Sequence, residues 1–168
     1  MKSGSYILSI RIIALAGILI ISSLAKLMAQ EDPPVPITIT PVVTSVAFGT
    51  LYDPGNDGGS VTINPQTGIR TQSGLIAIGG SFTRGEYEIS GTPGTLIVLS
   101  YTADIVLNRS GGGGTIDMHI EIYPSPFFVV EAPPVVNKIY IGGTLTLNAG
   151  VSAGTYSSED FTVTLNQP

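Results

Sequence analysis

The segment Thr115-Ile116-Asp117-Met118-His119-Ile120-Glu121-Ile122-Tyr123 decides the fold class of this chain. Every even-numbered position from 116 to 122 is apolar, and Asp117, His119 and Glu121 lie between them. Strict alternation of this kind is the pattern of a half-buried β-strand, with one face in the core and one in water. The sequence beyond residue 30 offers no window with the 3.6-residue period of an amphipathic helix. We therefore predict an all-β domain.

Short apolar runs, separated by turn-forming residues, extend this pattern in both directions along the chain. The clearest runs are 61–63, 75–78, 96–101, 105–107, 139–141 and 161–165, and clusters of Gly, Pro, Asn and Asp separate them at 53–59, 64–68, 91–94 and 111–114. About eight short strands, with a turn about every 8–15 residues, are typical of an antiparallel β-sandwich. A closed barrel is the main alternative. An outer-membrane barrel is less favoured, because spanning strands need about 9–11 residues.

Composition excludes several classes of protein. The chain has 168 residues, a formal net charge of −5, 43% hydrophobic residues and only 11% charged ones. That length suits one ordinary domain. An acidic chain with seven basic residues lacks the positive charge that binding to nucleic acid requires. The absence of cysteine excludes disulfides, thiol catalysis and a lipoprotein anchor. We therefore expect sheet pairing and core packing alone to hold the fold together.

The first 29 residues have the order of a secretory signal peptide. Lys2 and Arg11 lead into an apolar run at 12–21, which is short for a membrane span, and small residues follow as far as Ala29. Cleavage after Ala25 or after Ala29 both fit the pattern. Removal of residues 1–29 leaves four basic residues against all twelve acidic ones, hence a formal net charge of −8. We expect an exported protein located at the cell surface, outside the cell or in the periplasm, with membrane contact only through the transient signal peptide.

Residues 30–36 form a flexible, proline-containing lead, and residues 37–168 form the single β-sandwich domain of this prediction. Four apolar residues at its start alternate on what we predict to be one face: Val35, Ile37, Ile39 and Val43. Pro41 interrupts this run, which predicts an edge strand or a β-bulge there. The segment is either the first strand of the domain or a donor strand that pairs with another copy.

No arrangement of side chains in the sequence predicts catalysis, metal binding or a cofactor. Asp117, His119 and Glu121 are about 7 Å apart along one strand face, which is too far for all three to ligate one ion. The turn at 53–58 lacks the middle ligand and the final glutamate of a calcium loop. Glu86 and Glu88 fit an exposed strand face better than an acid–base pair. No nucleophile motif is present, and we predict a non-enzymatic protein.

Several segments together resemble a bacterial secreted family known as domain of unknown function 4402. They are 47–50, 59–65, 68–74, 87–94, 139–145 and 154–166, and the resemblance covers residues 44–166. The family resembles in turn the spore-coat-U-like domains and the archaic chaperone–usher pilins. That resemblance implies an immunoglobulin-like β-sandwich at the cell surface or in secreted filaments, and it implies no activity. The chain departs from the pattern in its long proline-rich connection, 124–134, and in the final residues 166–168, which lack the usual closing aromatic.

Two functions from different classes fit these features. The first is a structural or adhesion-type surface protein, such as a pilin-like subunit, that assembles by β-strand addition with itself or another surface subunit, with an export chaperone as a further partner. The second is a self-contained binding module for a glycan, a peptide or a protein. Its candidate patch consists of four aromatic residues near loops: Tyr52, Tyr123, Phe127 and Phe128.

Overall fold

The computed structural model describes residues 35–158 and 161–168, and these residues form one compact unit. The predicted signal peptide, 1–29, and residues 30–34 of the predicted lead lie outside the described part. The described residues contain thirteen β-strands and no helix, and all strand pairings are antiparallel. The strands are β1 Thr38–Val43, β2 Thr50–Tyr52, β3 Gly59–Ile63, β4 Arg70–Ser73, β5 Ile76–Gly79, β6 Gly85–Ser90, β7 Leu96–Tyr101, β8 Asp104–Arg109, β9 Thr115–Tyr123, β10 Phe127–Val129, β11 Asn137–Leu147, β12 Tyr156–Ser157 and β13 Val163–Asn166.

The strands form three sheets that enclose one core. The large sheet has the order β1-β6-β11-β9-β8-β12, with β3 added to β11 and β4 added to β3. A second sheet has the order β10-β7-β13, and β2 and β5 form a third. The predicted all-β sandwich is confirmed. The number of strands is higher than the predicted eight or so, because short pieces such as β2, β10 and β12 pair over only two or three residues.

Strand β9 has the alternation that the sequence predicts. Ile116, Met118, Ile120 and Ile122 are buried, whereas the residues between them are exposed. They join Val61 and Ile63 of β3 and Ile139 and Ile141 of β11 in the hydrophobic core. None of the residues buried in the described part of the chain is polar or charged. The core is therefore stabilised by apolar burial and close packing.

Strand β11 is the central element of the large sheet. One of its edges pairs with β9 from Tyr140 to Thr146. Its other edge pairs with β6 over residues 137–141 and then with β3 over residues 143–147. The change of partner falls at Gly142 and Gly143. A Cβ atom on Gly142 would collide with the carbonyl oxygen of Ile63, and one on Gly143 with the carbonyl oxygen of His119. Glycine is therefore required where three backbones approach each other.

Arginine side chains bind loop carbonyl groups and so hold loops against this framework, a feature that no sequence pattern predicts. Nη1 of Arg84 donates to the carbonyl oxygens of Pro65 and Gln66, both at 2.7 Å, and its guanidinium lies 3.7 Å from the ring centroid of Tyr140. Arg70 donates to the carbonyl oxygen of Phe48 at 2.9 Å. Arg109 donates to two further loop carbonyls in the same way. Sheet pairing and core packing are thus supplemented by charge-assisted hydrogen bonds.

We predict that Gly143→Ala lowers the free energy of unfolding by about 2–4 kcal/mol, because the new methyl group meets fixed backbone at a φ of +142°. The matched control is Gly94→Ala, whose φ is +86° and whose added methyl group has no neighbour within 4 Å. That control should cost only about 1 kcal/mol. Urea denaturation of both variants measures the difference. Equal losses of unfolding free energy in the two variants would show that steric crowding at Gly143 does not contribute to the cost of the substitution.

Candidate functional site: an apolar groove beside an open sheet edge

Strand β1 forms one edge of the large sheet. Within the described residues it pairs with β6 alone, in a register that places Thr38 opposite Ser90 and Ile39 opposite Ile89. The register shifts between Pro41 and Val43. The sequence prediction of an edge strand or a bulge at Pro41 is therefore confirmed in both parts. Proline has no backbone N–H, and it is tolerated there because an edge strand forms ladder hydrogen bonds on one side only.

The four residues of the predicted donor strand do not share one face. Ile39 lies opposite the buried Ile89, so it faces the core side of the sheet, and Ile37 packs against the core. Val43 lies opposite Glu86, three residues before Ile89 in β6, and therefore faces the other side. The single-face prediction is wrong for Val43, because the bulge reverses the alternation. Val35 is 56% exposed, and its backbone N–H donates to Oγ1 of Thr92 at 3.0 Å.

An apolar groove of about 210 Å³ lies between β1 and β13. The large sheet and the three-stranded sheet both contribute to its lining, which contains no charged side chain: Ile39, Tyr87, Ile139, Ile141, Phe161, Val163 and Leu165. Strand β13 pairs only with β7 among the described strands, so one of its edges is open as well. The groove therefore lies between two strands that each pair with a single neighbour among the described strands.

The side chains that line the groove differ widely in burial. Ile139 and Ile141 are buried on β11, whereas Ile39 is 47% exposed on β1. All of β1 except the half-buried Val43 is exposed. Burial of apolar area is the main source of side-chain stabilisation. Strand β1 is thus anchored chiefly by its backbone hydrogen bonds to β6.

On the opposite face, Lys138 joins two carboxylates of β6. Its Nζ lies 2.6 Å from Glu86 and 3.4 Å from Glu88, and Glu88 lies opposite Thr40 of β1. The hydrogen bond to Glu86, followed by that to Glu88, raises the pKa of Lys138 above its ordinary value of 10.5. The folded chain therefore holds the proton on Lys138 more tightly than the unfolded chain does, so this contribution to stability is present at neutral pH and is lost as the pH rises through the raised pKa. Glu86 and Glu88 are held by Lys138 beside β1.

The four aromatic residues of the predicted binding patch are divided among three sheets. Tyr52 belongs to the two-stranded sheet, and Tyr123 lies at the end of β9 opposite Tyr140. Phe127 and Phe128 belong to β10, where Phe127 is exposed and Phe128 packs against the core. The predicted patch is thus not formed on a single sheet.

The remaining polar candidates do not form a metal centre in the described part of the chain. His119 Nδ1 lies 2.7 Å from Oδ1 of Asp104, and both side chains are largely exposed. Residues 35–158 and 161–168 contain no cluster of three or more His, Cys, Asp or Glu side chains placed to hold a metal ion. The same residues contain no helix long and apolar enough to cross a membrane.

Sequence reasoning missed the groove itself. All lining residues except Phe161 are ordinary strand residues, and those of β11 and β13 are more than 20 positions apart in the sequence. Period-two patterns show which side chains face inward, but they do not show which edges of two sheets remain open to each other. Two sequence signals lie near the groove: Pro41, which correctly marks the edge strand β1, and Ile39 of the predicted donor strand, which lines the groove.

The fold and the groove define a class: an antiparallel β-sandwich domain with an apolar cleft between open edges. The chain belongs to the family described as Domain of unknown function (DUF4402), whose sequence profile matches residues 37–166. This confirms the family suggested by the sequence motifs. No curated protein matches the chain, and no solved structure matches it.

We predict that two isoleucines lining the groove differ sharply in their importance for stability. Ile139→Ala should lower the free energy of unfolding by about 2–5 kcal/mol, because the side chain is only 3% exposed and a cavity is left behind. Ile39→Ala should cost about 1 kcal/mol or less, because almost half of that side chain is already in water. Urea denaturation of the two variants provides the comparison. A loss for Ile39→Ala as large as that for Ile139→Ala would mean that β1 is anchored as firmly as β11.

Proposed function

We propose that this protein is an exported, non-enzymatic structural or adhesion-type surface protein, a pilin-like subunit that assembles with other copies by exchange of strand β1. The observation that carries the proposal is the combination of an edge strand with exposed side chains and an adjoining apolar groove. In the assembled form, residues 35–43 of one copy pair with β6 of the next copy.

The energy required for such an exchange is small in this fold. Strand β1 makes its ladder hydrogen bonds with a single neighbour, and the same bonds form when β1 of another copy takes its place. The apolar contacts of Ile37 and Ile39 are likewise re-formed in the second copy. No new interface has to be created, so the balance between single and exchanged copies depends on concentration and on the geometry of the connecting segments.

The groove supplies selectivity for the incoming strand. Backbone pairing gives affinity to any extended segment, whereas pockets for alternate side chains select the sequence. Ile39 lines the groove together with Tyr87 and Val163, so an apolar residue is favoured at that position of the incoming strand. Pro41 limits the pairing to one side, which opposes continued growth at the outer edge of the exchanged strand.

The remaining features of the chain support a location outside the cytoplasm. Residues 1–29 have the charge, apolar run and small residues of a secretory signal peptide. The resemblance to spore-coat-U-like and archaic pilin domains favours the same location.

Exchange can be tested by mixing two single-cysteine variants of this cysteine-free chain. Thr38 lies directly opposite Ser90, at a spacing that suits a disulfide. We expect Thr38→Cys and Ser90→Cys proteins, unfolded together, refolded and oxidised, to form a mixed disulfide dimer on non-reducing electrophoresis. Such a bond requires β1 of one copy to lie on β6 of the other.

The control pairs Thr38→Cys with Thr71→Cys, an exposed position on β4 that β1 does not approach in this sheet order. That mixture should give only the background level of random cross-linking. If the Thr38/Ser90 mixture yields no more cross-linked dimer than the control mixture, β1 stays in its own copy and the proposed assembly is wrong.

A further inference from the structure

A cavity of about 300 Å³ lies at the end of the large sheet where β6 and β11 separate. Ladder pairing between these two strands ends at the pair of Asn137 and Ile89. Residues 88–91 line one side of the cavity, and Glu131 together with residues 133–137 lines the other. The cavity shares no lining residue with the apolar groove between β1 and β13. We name it the β6–β11 cavity.

Hydrogen bonds within the wall 131–137 hold it in a defined shape. Oδ1 of Asn137 accepts from the backbone N–H of Glu131 at 2.7 Å, and Nδ2 of Asn137 donates to the carbonyl oxygen of Glu131 at 3.2 Å. Pro133 and Pro134 restrict the backbone that lies between these two residues. A wall that is already ordered loses little entropy when a ligand binds, and this favours binding.

The lining combines apolar side chains with carboxylates. The apolar part comes from four consecutive residues of the wall: Pro133, Pro134, Val135 and Val136. Val135 is 49% exposed and Val136 is 55% exposed, so both valines offer apolar surface to a ligand. Glu88 and Glu131 line the same cavity. A few charged groups among apolar walls are typical of a ligand site, where the charges fix the orientation of the ligand.

Lys138 does not balance the negative charge beside the cavity. Its Nζ lies 2.6 Å from Glu86 but 3.4 Å from Glu88, so its shorter bond is with Glu86, which does not line the cavity. The carboxylates of Glu86, Glu88 and Glu131 outnumber this one ammonium group. The net negative charge attracts a cation.

We infer that the β6–β11 cavity binds a primary ammonium group carried on an unbranched alkyl chain, the chemistry shared by a lysine side chain and a free aliphatic diamine. The ammonium group pairs with Glu88 and Glu131 through charge-assisted hydrogen bonds. The alkyl chain lies against Val135 and Val136, as lysine stems lie along apolar surfaces in proteins. Because water reaches the ion pairs, we expect a weak affinity, with a dissociation constant of about 1 mM.

Charge decides against the occupants that this chain itself could supply. Residues 30–34, which precede Val35, contain two acidic residues and no basic one, so like charge opposes their entry. In the described part of the chain, each basic side chain already has a partner within its own copy: Arg70, Arg84, Arg109 and Lys138. The three arginines donate to backbone carbonyl oxygens. A cation from a different molecule is therefore the occupant that the charges select.

Isothermal titration calorimetry of the protein purified after expression of the full chain tests this inference with two probes, cadaverine and the peptide acetyl-Gly-Lys-Gly-amide. We expect heat of binding from these amines and none from pentanol, which has a similar alkyl chain but no charge. Glu131→Gln should weaken binding at least about fivefold, because it removes one carboxylate of the cavity. The hydrogen bonds of the wall use the backbone of Glu131 and are kept. The matched control is Glu121→Gln, an exposed position on β9 outside the lining, which should bind like the wild type.

The two probes separate the sources of the ligand. Tighter binding of the peptide assigns the cavity to a lysine of a partner protein, tighter binding of cadaverine assigns it to a free diamine, and either result supports the inference. Absence of binding by both probes would overturn it. Equal weakening by Glu131→Gln and Glu121→Gln would overturn it as well, since it would show only a general attraction to an acidic chain. Pentanol binding as tightly as cadaverine would do the same.

The inference does not depend on strand exchange, because no residue of β1 lines the cavity. The Thr38→Cys/Ser90→Cys double variant, oxidised so that β1 is locked onto its own β6, should bind the amines like the wild type. Loss of binding on locking would assign the site to the exchanged form and overturn the inference for the single copy.

Discussion

The close approach of backbones at Gly142 and Gly143 is the constraint on which the large sheet depends. There β11 leaves β6 and begins to pair with β3, while its other edge continues along β9 without interruption. A side chain at either glycine would strike a neighbouring carbonyl group. Because β11 joins three strands, the inward isoleucines of β9 and β11 and the inward residues of β3 meet in one core. Near this point, Arg84 donates hydrogen bonds to the carbonyl oxygens of Pro65 and Gln66 in the loop that follows β3.

Stability is distributed unevenly around this centre. Strands β9 and β11 are paired on both edges and bury their inward side chains. Strand β1 is paired on one edge and leaves most of its side chains in water. Elements with few buried contacts open with less free energy than the core. That difference gives the proposed assembly its physical basis: the core remains folded while the edge strand is exchanged, and β1 of another copy takes its place on β6.

The sequence predicts the architecture better than it predicts the surfaces used for binding. Alternation in 115–123 predicts which side chains are buried, because one face of a strand must lie in the core. Pro41 indicates an edge strand, because proline lacks the N–H that an inner strand needs for pairing on both sides. Val43 was placed on the wrong face because a bulge shifts the period by one residue. The groove was missed because it depends on which sheet edges meet. Phe127 and Phe128 lie within the proline-rich connection 124–134, yet they form β10, because three residues suffice to pair with β7. Local periodicity does not predict bulges, the meeting of sheet edges or the pairing of a three-residue strand, because all three depend on tertiary structure.

Native-state hydrogen exchange measures the opening free energy of each strand in the intact protein, and it therefore shows whether β1 opens separately from the core. We predict that the amides of β1 exchange through a partial opening whose free energy is at least about 2 kcal/mol below the global free energy of unfolding, while those of β9 and β11 exchange only on global unfolding. Amides of β1 that are as strongly protected as those of β11 would contradict it, because β1 would then be an inseparable part of the core.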